Sequence, residues 1–166
     1  MKTVYLIRHA KSSWEDMSLR DIDRPLNKRG FRDAPFMANL LKGKGAQPDA
    51  LISSPANRAF TTATYFAKAF EVATEDIIVN ESIYEAYGSD VVKIIRNLDD
   101  NLNTVCLFGH NPTFTSLANN FSKREYIPNV PTCGIVKIEA TVNSWKSFSE
   151  ENTQLADFYY PKQYFR

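Results

Sequence analysis

Strand-like and helix-like segments alternate along most of this chain, and this alternation limits the folds open to it. Short β-branched and aliphatic runs predict buried strands, and apolar residues spaced three and four apart predict helices with one buried face. The pattern favours a three-layer α/β/α domain with a mostly parallel central sheet. Strands are predicted over residues 3–8, 50–52, 77–79, 104–108 and 134–140, and helices are predicted to begin near Asn27, Ser54, Gly88 and Asn111.

Three prolines bear on where the helices begin. Pro35 lies inside the first predicted helix and predicts a kink or a late start there. Ser54 followed by Pro55 predicts a helix cap and a first helical position, and Asn111 followed by Pro112 repeats that arrangement.

The C-terminal quarter departs from the alternation. Residues 145–148 are expected to pair with the strand at 134–140, and residues 155–160 are expected to add an edge strand. The long polar stretch from Lys11 to Pro25 predicts a surface loop, and loops of this length are often functional. Because no linker or repeat interrupts the chain, we expect one domain over residues 1–166.

The composition excludes few classes of protein, but together with the absence of targeting patterns it indicates where in the cell the protein is expected. The chain carries 20 basic and 19 acidic residues, so its net charge of +1 gives no reason to expect a nucleic acid or a membrane as partner. It shows no signal-peptide pattern and no long apolar span, which predicts a cytoplasmic protein. Cys106 and Cys133 lack the spacing of a metal or redox site and fit a reducing interior.

Both histidines of the chain follow predicted strands. His9 comes directly after the first strand, next to Arg8, and His110 follows the strand at 104–108. Arg58 lies in the first turn of the second helix, and its side chain is expected to lean back toward the same sheet edge. In open α/β sheets, ligands bind at the carboxyl ends of the strands, where helix N-termini favour anions. We therefore predict one phosphate pocket formed by Arg8, His9, Arg58 and His110.

Each of these residues has an ordinary explanation when taken alone. An Arg-His pair is common by chance, residues 109–112 can be a plain turn between a strand and a helix, and Arg58 can be a solvated residue. A metal site is not expected, because two histidines without a nearby third ligand make an incomplete coordination set.

Three motifs resemble the histidine phosphatase superfamily, whose members share the phosphoglycerate-mutase-like fold. Arg8-His9 matches its Arg-His signature on strand one, residues 54–62 match its Ser-Pro-x-x-Arg-Ala-x-x-Thr element, and Gly109-His110 matches its late Gly-His element. Residues 8–14 and 23–30 are most similar to the bacterial SixA-like phosphohistidine phosphatases.

This resemblance covers most of residues 3–121. The chain departs from many superfamily members at Ala10, where they have glycine after the histidine. The SixA-like branch tolerates this change, so Ala10 bears more on the branch than on the activity.

The resemblance implies a role for each of the four pocket residues. His9 is expected to attack phosphorus and form a phosphohistidine intermediate, with a hydrogen bond from its other ring nitrogen to backbone. Arg8 and Arg58 are expected to fork onto phosphate oxygens, and His110 is expected to donate a hydrogen bond to them as an imidazolium. Water then cleaves the intermediate, and no metal or other cofactor is expected.

The general acid and the outer pocket are less defined by the sequence. The superfamily places a carboxylate between the arginine helix and the second histidine, where Glu81 and Glu85 both lie; Glu81 follows the predicted strand more closely. Both can equally be solvated loop residues. Further substrate-binding candidates are Lys11, Ser12, Arg24 and Asn27, although each can be a surface residue or, for Asn27, a helix cap.

The favoured function is that of a phosphatase acting on a phosphorylated substrate. The favoured substrate is a phosphohistidine-containing signalling protein. Imidazole leaves more easily than an alkoxide, so a weak or absent general acid suits a P–N bond. A phosphoglycerate-type mutase is disfavoured, because 166 residues leave little room for the insertions that enclose a small substrate. A small-molecule phosphomonoesterase and a non-catalytic phosphate-binding module stay open as alternatives.

Overall fold

The computed structural model describes residues 1–165. The predicted domain also includes Arg166, which lies outside the described residues. In chain order, the elements are β1 (Lys2–Arg8), α1 (Lys28–Gly43), β2 (Ala50–Ser53), α2 (Asn57–Ala69), β3 (Ile78–Val79), α3 (Gly88–Arg96), β4 (Thr104–Gly109), α4 (Thr113–Phe121), β5 (Ile135–Ala140) and β6 (Thr153–Tyr159).

One six-stranded sheet runs in the order β3-β2-β4-β1-β5-β6. The four strands from β3 to β1 are parallel, and β5 and β6 are antiparallel to their neighbours. The carboxyl ends of β1, β2 and β4 therefore meet at one edge of the sheet. The predicted mostly parallel sheet is confirmed, and so is an edge strand near the C-terminus, which begins two residues earlier than predicted.

Successive side chains of β1 face opposite layers of the molecule. Val4 and Leu6 lie in a core that packs against α3 and α4, whereas Tyr5 and Ile7 lie in a second core that packs against α1 and α2. This two-residue period is that of a strand buried on both faces. The three-layer α/β/α architecture is thus confirmed.

Residues 145–148 do not form the predicted strand. Trp145 begins a 3-10 turn and is fully buried. Its backbone N–H donates to the Asp100 carboxylate (2.9 Å), and its indole N–H donates to the Leu102 carbonyl (2.8 Å). These bonds hold Trp145 in the core that packs against α3 and α4. The strand that pairs with β5 on this side is β6, not residues 145–148.

Of the predicted helix starts, that of α1 near Asn27 is confirmed and that of α2 is wrong. The helix α1 begins directly after Asn27, whose side chain caps it, and it continues through Pro35 rather than starting late. The helix α2 begins at Asn57, not at Pro55, because Ser54 Oγ accepts the Ala56 N–H (3.2 Å) in a turn that precedes the helix.

Within residues 1–165, no helix combines the length and the apolar composition needed to span a bilayer.

We predict that Phe66→Ala lowers the free energy of unfolding by about 3–5 kcal/mol, because it leaves a cavity in a close-packed core. Phe66 is fully buried and packs edge-to-face on Phe108, with ring centroids 5.1 Å apart. Urea denaturation gives the measurement. The matched control is Phe31→Ala on α1, a ring that is 46% exposed, and a loss there as large as that of Phe66→Ala would contradict the prediction.

Candidate active site

The pairing of β1 with β4 brings the two histidines together. Arg8 and Gly109 are register partners at the ends of these strands, and His9 and His110 each follow one of them. Their imidazole rings consequently lie side by side, with centroids 5.3 Å apart and planes inclined by 51°. The predicted meeting of these residues at one sheet edge is what the structure shows.

The tautomer of His9 follows from its backbone contact. Its Nδ1 lies 2.8 Å from the carbonyl oxygen of Ala10. Because a carbonyl oxygen can only accept a hydrogen bond, Nδ1 carries the proton and Nε2 keeps its lone pair. Burial lowers the pKa of His9 to about 3, and the nearby His110, Arg58 and Arg8 disfavour its charged form further. His9 is therefore a neutral imidazole at physiological pH.

A threonine of α2 connects the Arg58 helix to the His9 segment. Thr62 is fully buried; its hydroxyl accepts the Ala10 N–H (3.0 Å) and donates to the Arg58 carbonyl (2.8 Å). Thr62 ends the Ser-Pro-x-x-Arg-Ala-x-x-Thr element, and the sequence alone assigned it no task. The structure shows it bracing the backbone that carries His9.

The two arginines enter the site from different elements. Arg8 is the last residue of β1, and its Nη1 donates to the Val130 carbonyl (3.0 Å). Arg58 lies in the first turn of α2 and is buried. Burial lowers the pKa of Arg8, and the neighbouring positive charge of Arg58 lowers it further. Two guanidinium groups thus share one desolvated region, which favours a bound anion.

His110 is neutral in this structure. Its Nε2 lies 2.8 Å from Ser54 Oγ. Burial lowers its pKa to about 4, and the positive charge of Arg58 contributes. Desolvation and the nearby Arg58 cation both oppose a positive charge on His110 before an anion binds. The expected imidazolium concerns the phosphate-bound site and stays a prediction.

Two buried side-chain nitrogen atoms in residues 1–165 have no hydrogen-bond partner, Arg8 Nε and His110 Nδ1. Buried polar atoms are nearly always paired, so an unpaired one calls for an explanation. Both atoms belong to predicted pocket residues. An anion that accepts hydrogen bonds, such as a phosphoryl group, would satisfy them.

Arg24 and Ser12 hold the long loop together. Arg24 is buried and donates from Nη2 to Ser12 Oγ (2.5 Å), from Nε to the Ser13 carbonyl (3.1 Å) and from Nη1 to Asp21 Oδ1 (3.1 Å). Its guanidinium also stacks on the indole of Trp14, 3.3 Å from the ring centroid. These contacts use all three side-chain nitrogen atoms of Arg24. Arg24 therefore fixes the conformation of the loop and the position of Asp21.

Asn27 and Lys11 also have structural contacts. Asn27 Oδ1 accepts the Gly30 N–H (2.9 Å) and caps α1, and the Asn27 N–H donates to the Lys11 carbonyl (2.9 Å). A Cβ atom at Gly30 would clash with that carbonyl oxygen. Glycine at this position therefore allows the backbone of Lys11, in the loop that follows His9, to approach the first turn of α1.

Neither predicted general acid hydrogen-bonds to a pocket residue in the described part of the chain. Glu81 begins a 3-10 turn after β3, and Glu85 adopts a positive φ of 58°; both are exposed. Glu85 lines the same cleft as His110, whereas Glu81 does not line it. The structure thus associates Glu85, rather than Glu81, with the cleft that His110 lines, and the general acid stays a prediction.

Asp21 is the carboxylate that contacts the pocket, and the sequence reasoning missed it. Its Oδ2 accepts hydrogen bonds from Arg58 Nη2 (2.9 Å) and from the Tyr84 hydroxyl (2.7 Å), and Tyr84 packs edge-on against His110. Burial alone would raise the pKa of Asp21, but bonds from Tyr84, Arg58 and Arg24 outweigh it and lower the pKa to about 2. The signal that could have indicated Asp21 was its place in the long polar loop, three residues before Arg24.

No group of three His, Cys, Asp or Glu side chains within residues 1–165 is arranged to hold a metal ion.

Comparison with protein families finds a match to the model of the histidine phosphatase superfamily (branch 1) over residues 4–93, more than half of the chain. The chain belongs to the histidine phosphatase superfamily. An uncharacterised chloroplastic protein of Arabidopsis thaliana is 30% identical over 153 residues, covering 87% of this chain and 69% of that protein. An uncharacterised Mycobacterium leprae protein is 27% identical over 167 residues, covering 94% of this chain and all of that protein.

Solved structures share the fold of this superfamily member. The crystal structure of a provisionally named phosphohistidine phosphatase SixA from Agrobacterium tumefaciens has a TM-score of 0.81 and 28% identity, covering 96% of this chain and 98% of that chain. A SixA protein histidine phosphatase in complex with tungstate has a TM-score of 0.79 and 20% identity, covering 94% and 95%. These matches confirm the phosphoglycerate-mutase-like fold and the SixA-like resemblance. The chain is, as predicted, a phosphatase, a hydrolase of phosphorylated compounds.

We predict that both imidazoles stay neutral from pH 7.5 down to about pH 5, with His9 in the Nδ1–H tautomer. The unfolded pKa of histidine is about 6.5, above the folded values of about 3 and 4. Below pH 6.5 the unfolded chain binds more protons, so stability falls as pH drops toward 4. Long-range ¹H–¹⁵N NMR of the two rings gives the measurement, and protonation of either ring near pH 6.5 would contradict the prediction.

Proposed function

We propose that this protein is a SixA-like phosphatase that removes phosphoryl groups from histidine side chains of proteins, through a phosphohistidine formed on His9. The observation that carries this proposal is the geometry of His9. A backbone carbonyl holds the proton on Nδ1, so the lone pair of Nε2 is free in a buried site that also contains two arginines. A neutral, oriented imidazole of this kind is a nucleophile toward phosphorus.

The surrounding groups supply what phosphoryl transfer requires. Charge on the transferred group is spread over its oxygen atoms, so catalysis rests on positioning and on hydrogen-bond donors. Arg8 Nε is a buried donor without a partner among residues 1–165, His110 Nδ1 is a buried ring nitrogen without one, and Arg58 adds a second guanidinium. In the first step His9 Nε2 bonds to phosphorus as the bond to the leaving group breaks. In the second step water displaces His9 and releases phosphate.

Two observations favour a protein as the source of the phosphoryl group. The Agrobacterium structure, 28% identical to this chain, bears the name of a phosphohistidine phosphatase. Trp14 is 63% exposed while its ring is stacked on Arg24, which hydrogen-bonds to Asp21, the contact of Arg58. A rigid, exposed aromatic side chain beside a reaction site is a suitable contact for a folded partner. A small phosphomonoester would use only the inner pocket and would gain nothing from Trp14.

The proposal includes a cytoplasmic location. Cys106 and Cys133 are both buried free thiols. Unpaired cysteines support a reducing compartment.

We predict that wild-type protein hydrolyses both p-nitrophenyl phosphate and a histidine-phosphorylated phosphotransfer domain, with no effect of chelator. His9→Ala should lower kcat by at least about 10³-fold, because the nucleophile is lost. Acid-sensitive, alkali-stable phosphoenzyme should form in the wild type and be absent from His9→Ala. Activity that survives in His9→Ala would remove His9 as the nucleophile, and phosphate binding without turnover by the wild type would instead indicate a binding module.

We predict separately that Arg58→Ala lowers kcat by about 10²–10³-fold, the usual loss for one charged donor to a transition state. Arg124→Ala is the matched control, because Arg124 is an exposed arginine that lies beside Leu155 of β6. Steady-state kinetics on p-nitrophenyl phosphate give the measurement. Equal activity of the two variants would mean that Arg58 does not contact the phosphoryl group.

A further inference from the structure

Asp21 contacts the pocket residue Arg58, and its carboxylate accepts hydrogen bonds from three donors. Oδ2 accepts from Arg58 Nη2 (2.9 Å) and the Tyr84 hydroxyl (2.7 Å), and Oδ1 accepts from Arg24 Nη1 (3.1 Å). The backbone carbonyl of Asp21 also accepts from Arg58 Nη1 (2.7 Å). The position of the carboxylate relative to the Arg58 guanidinium is therefore fixed from several sides.

One acceptor position of this carboxylate is still open. A carboxylate offers about four lone-pair positions, two on each oxygen. Arg58 and Tyr84 occupy both positions on Oδ2, and Arg24 occupies one position on Oδ1. The Asp21 side chain is 48% exposed, whereas that of Arg58 is 9% exposed. The free position therefore lies on a half-exposed carboxylate that contacts the Arg58 guanidinium.

The charge of Asp21 is present at every pH at which the protein would work. Hydrogen bonds from Tyr84, Arg58 and Arg24 outweigh the effect of burial and hold its pKa near 2. An acid of this strength has no proton to donate at neutral pH, so Asp21 is excluded as a general acid. It can only accept a hydrogen bond or attract a cation.

We propose that Asp21 is a specificity-determining residue that selects a phosphorylated imidazole by accepting a hydrogen bond from the second ring nitrogen of the leaving group. This inference rests on the proposed function and narrows its substrate class. A phosphorylated histidine keeps one free ring nitrogen, and an imidazole of this type protonates near neutral pH, about 6.5 for free histidine. The protonated ring is a cation with one N–H donor, which complements the open position on Oδ1.

The first chemical step balances without any protein acid. The substrate ring enters protonated on its free nitrogen, and that N–H donates to Asp21. His9 Nε2 forms a bond to phosphorus while the P–N bond of the substrate breaks and its electron pair returns to the substrate ring. The ring leaves as neutral imidazole, still carrying the proton beside Asp21. A separate general acid such as Glu81 or Glu85 has no part in this step.

The same carboxylate disfavours the cleavage of phosphate esters. An ester leaving group departs as an oxyanion and presents no N–H to Asp21. Negative charge that develops near the Asp21 carboxylate is repelled by it, whereas a cationic imidazole is attracted. Asp21 therefore both favours one leaving group and disfavours the other.

The test compares N-phosphoimidazole with phenyl phosphate, two small substrates that carry the same phosphoryl group on a planar ring. Asp21→Asn keeps an amide oxygen near Arg58 but removes the charge. Relative to wild type, it should lower the ratio of kcat/KM for N-phosphoimidazole to kcat/KM for phenyl phosphate at least about 10-fold. A weaker hold on Arg58 affects both substrates, whereas loss of the charge favours the ester over the imidazole. The matched control is Asp23→Asn, which removes the same charge from a carboxylate of similar exposure, 46%, that pairs with Arg20 outside the pocket.

The readout is the ratio of the two kcat/KM values, which loss of folded protein does not alter. Asp21→Ser provides a second neutral variant and should shift the ratio in the same direction. Equal losses on both substrates, or an unchanged ratio, would overturn the role of Asp21 and leave the phosphatase proposal standing. Wild-type protein that cleaves neither compound and forms no phosphoenzyme would overturn both proposals.

Discussion

The parallel pairing of β1 with β4 is the contact on which the site depends. It aligns Arg8 with Gly109, so that the residues after each strand end, His9 and His110, lie side by side. Both strands are buried on both faces by apolar side chains that pack against helices in two layers. A one-residue slip of either strand would exchange its two faces between the cores and separate the imidazoles. Core packing and catalytic geometry are thus set by the same register.

Burial then gives the histidines their chemical character. Desolvation lowers the pKa of His9 to about 3 and of His110 to about 4, and the two arginines oppose any further positive charge. A neutral His9 is what nucleophilic attack requires. A bound phosphoryl group would reverse the balance at His110, because a neighbouring anion favours the charged form of an imidazole. The site therefore becomes more complementary to phosphate as phosphate enters it.

The loop that follows His9 also fixes the positions of side chains around the pocket. Arg24 connects Ser12, Trp14 and Asp21 through its hydrogen bonds and its stacked guanidinium, and Asp21 connects onward to Arg58 and Tyr84. Arg24, which the sequence suggested for phosphate binding, thus positions the loop and contacts Asp21, the residue proposed to select the leaving group. Exposed Trp14 and inner Arg58 belong to one connected network.

The sequence by itself determined the layered α/β fold, the strands and the four pocket residues, because these depend on local periodicity and on residues placed at strand ends. It misjudged the segment at Trp145, which depends on burial and on distant partners. It also misjudged the start of α2, which depends on a side-chain hydrogen bond of Ser54. Only the tertiary structure showed Asp21 at the pocket. Asp21 and Arg58 are 37 residues apart, and their contact exists because a loop without periodicity folds back over the start of α2, which no local pattern encodes.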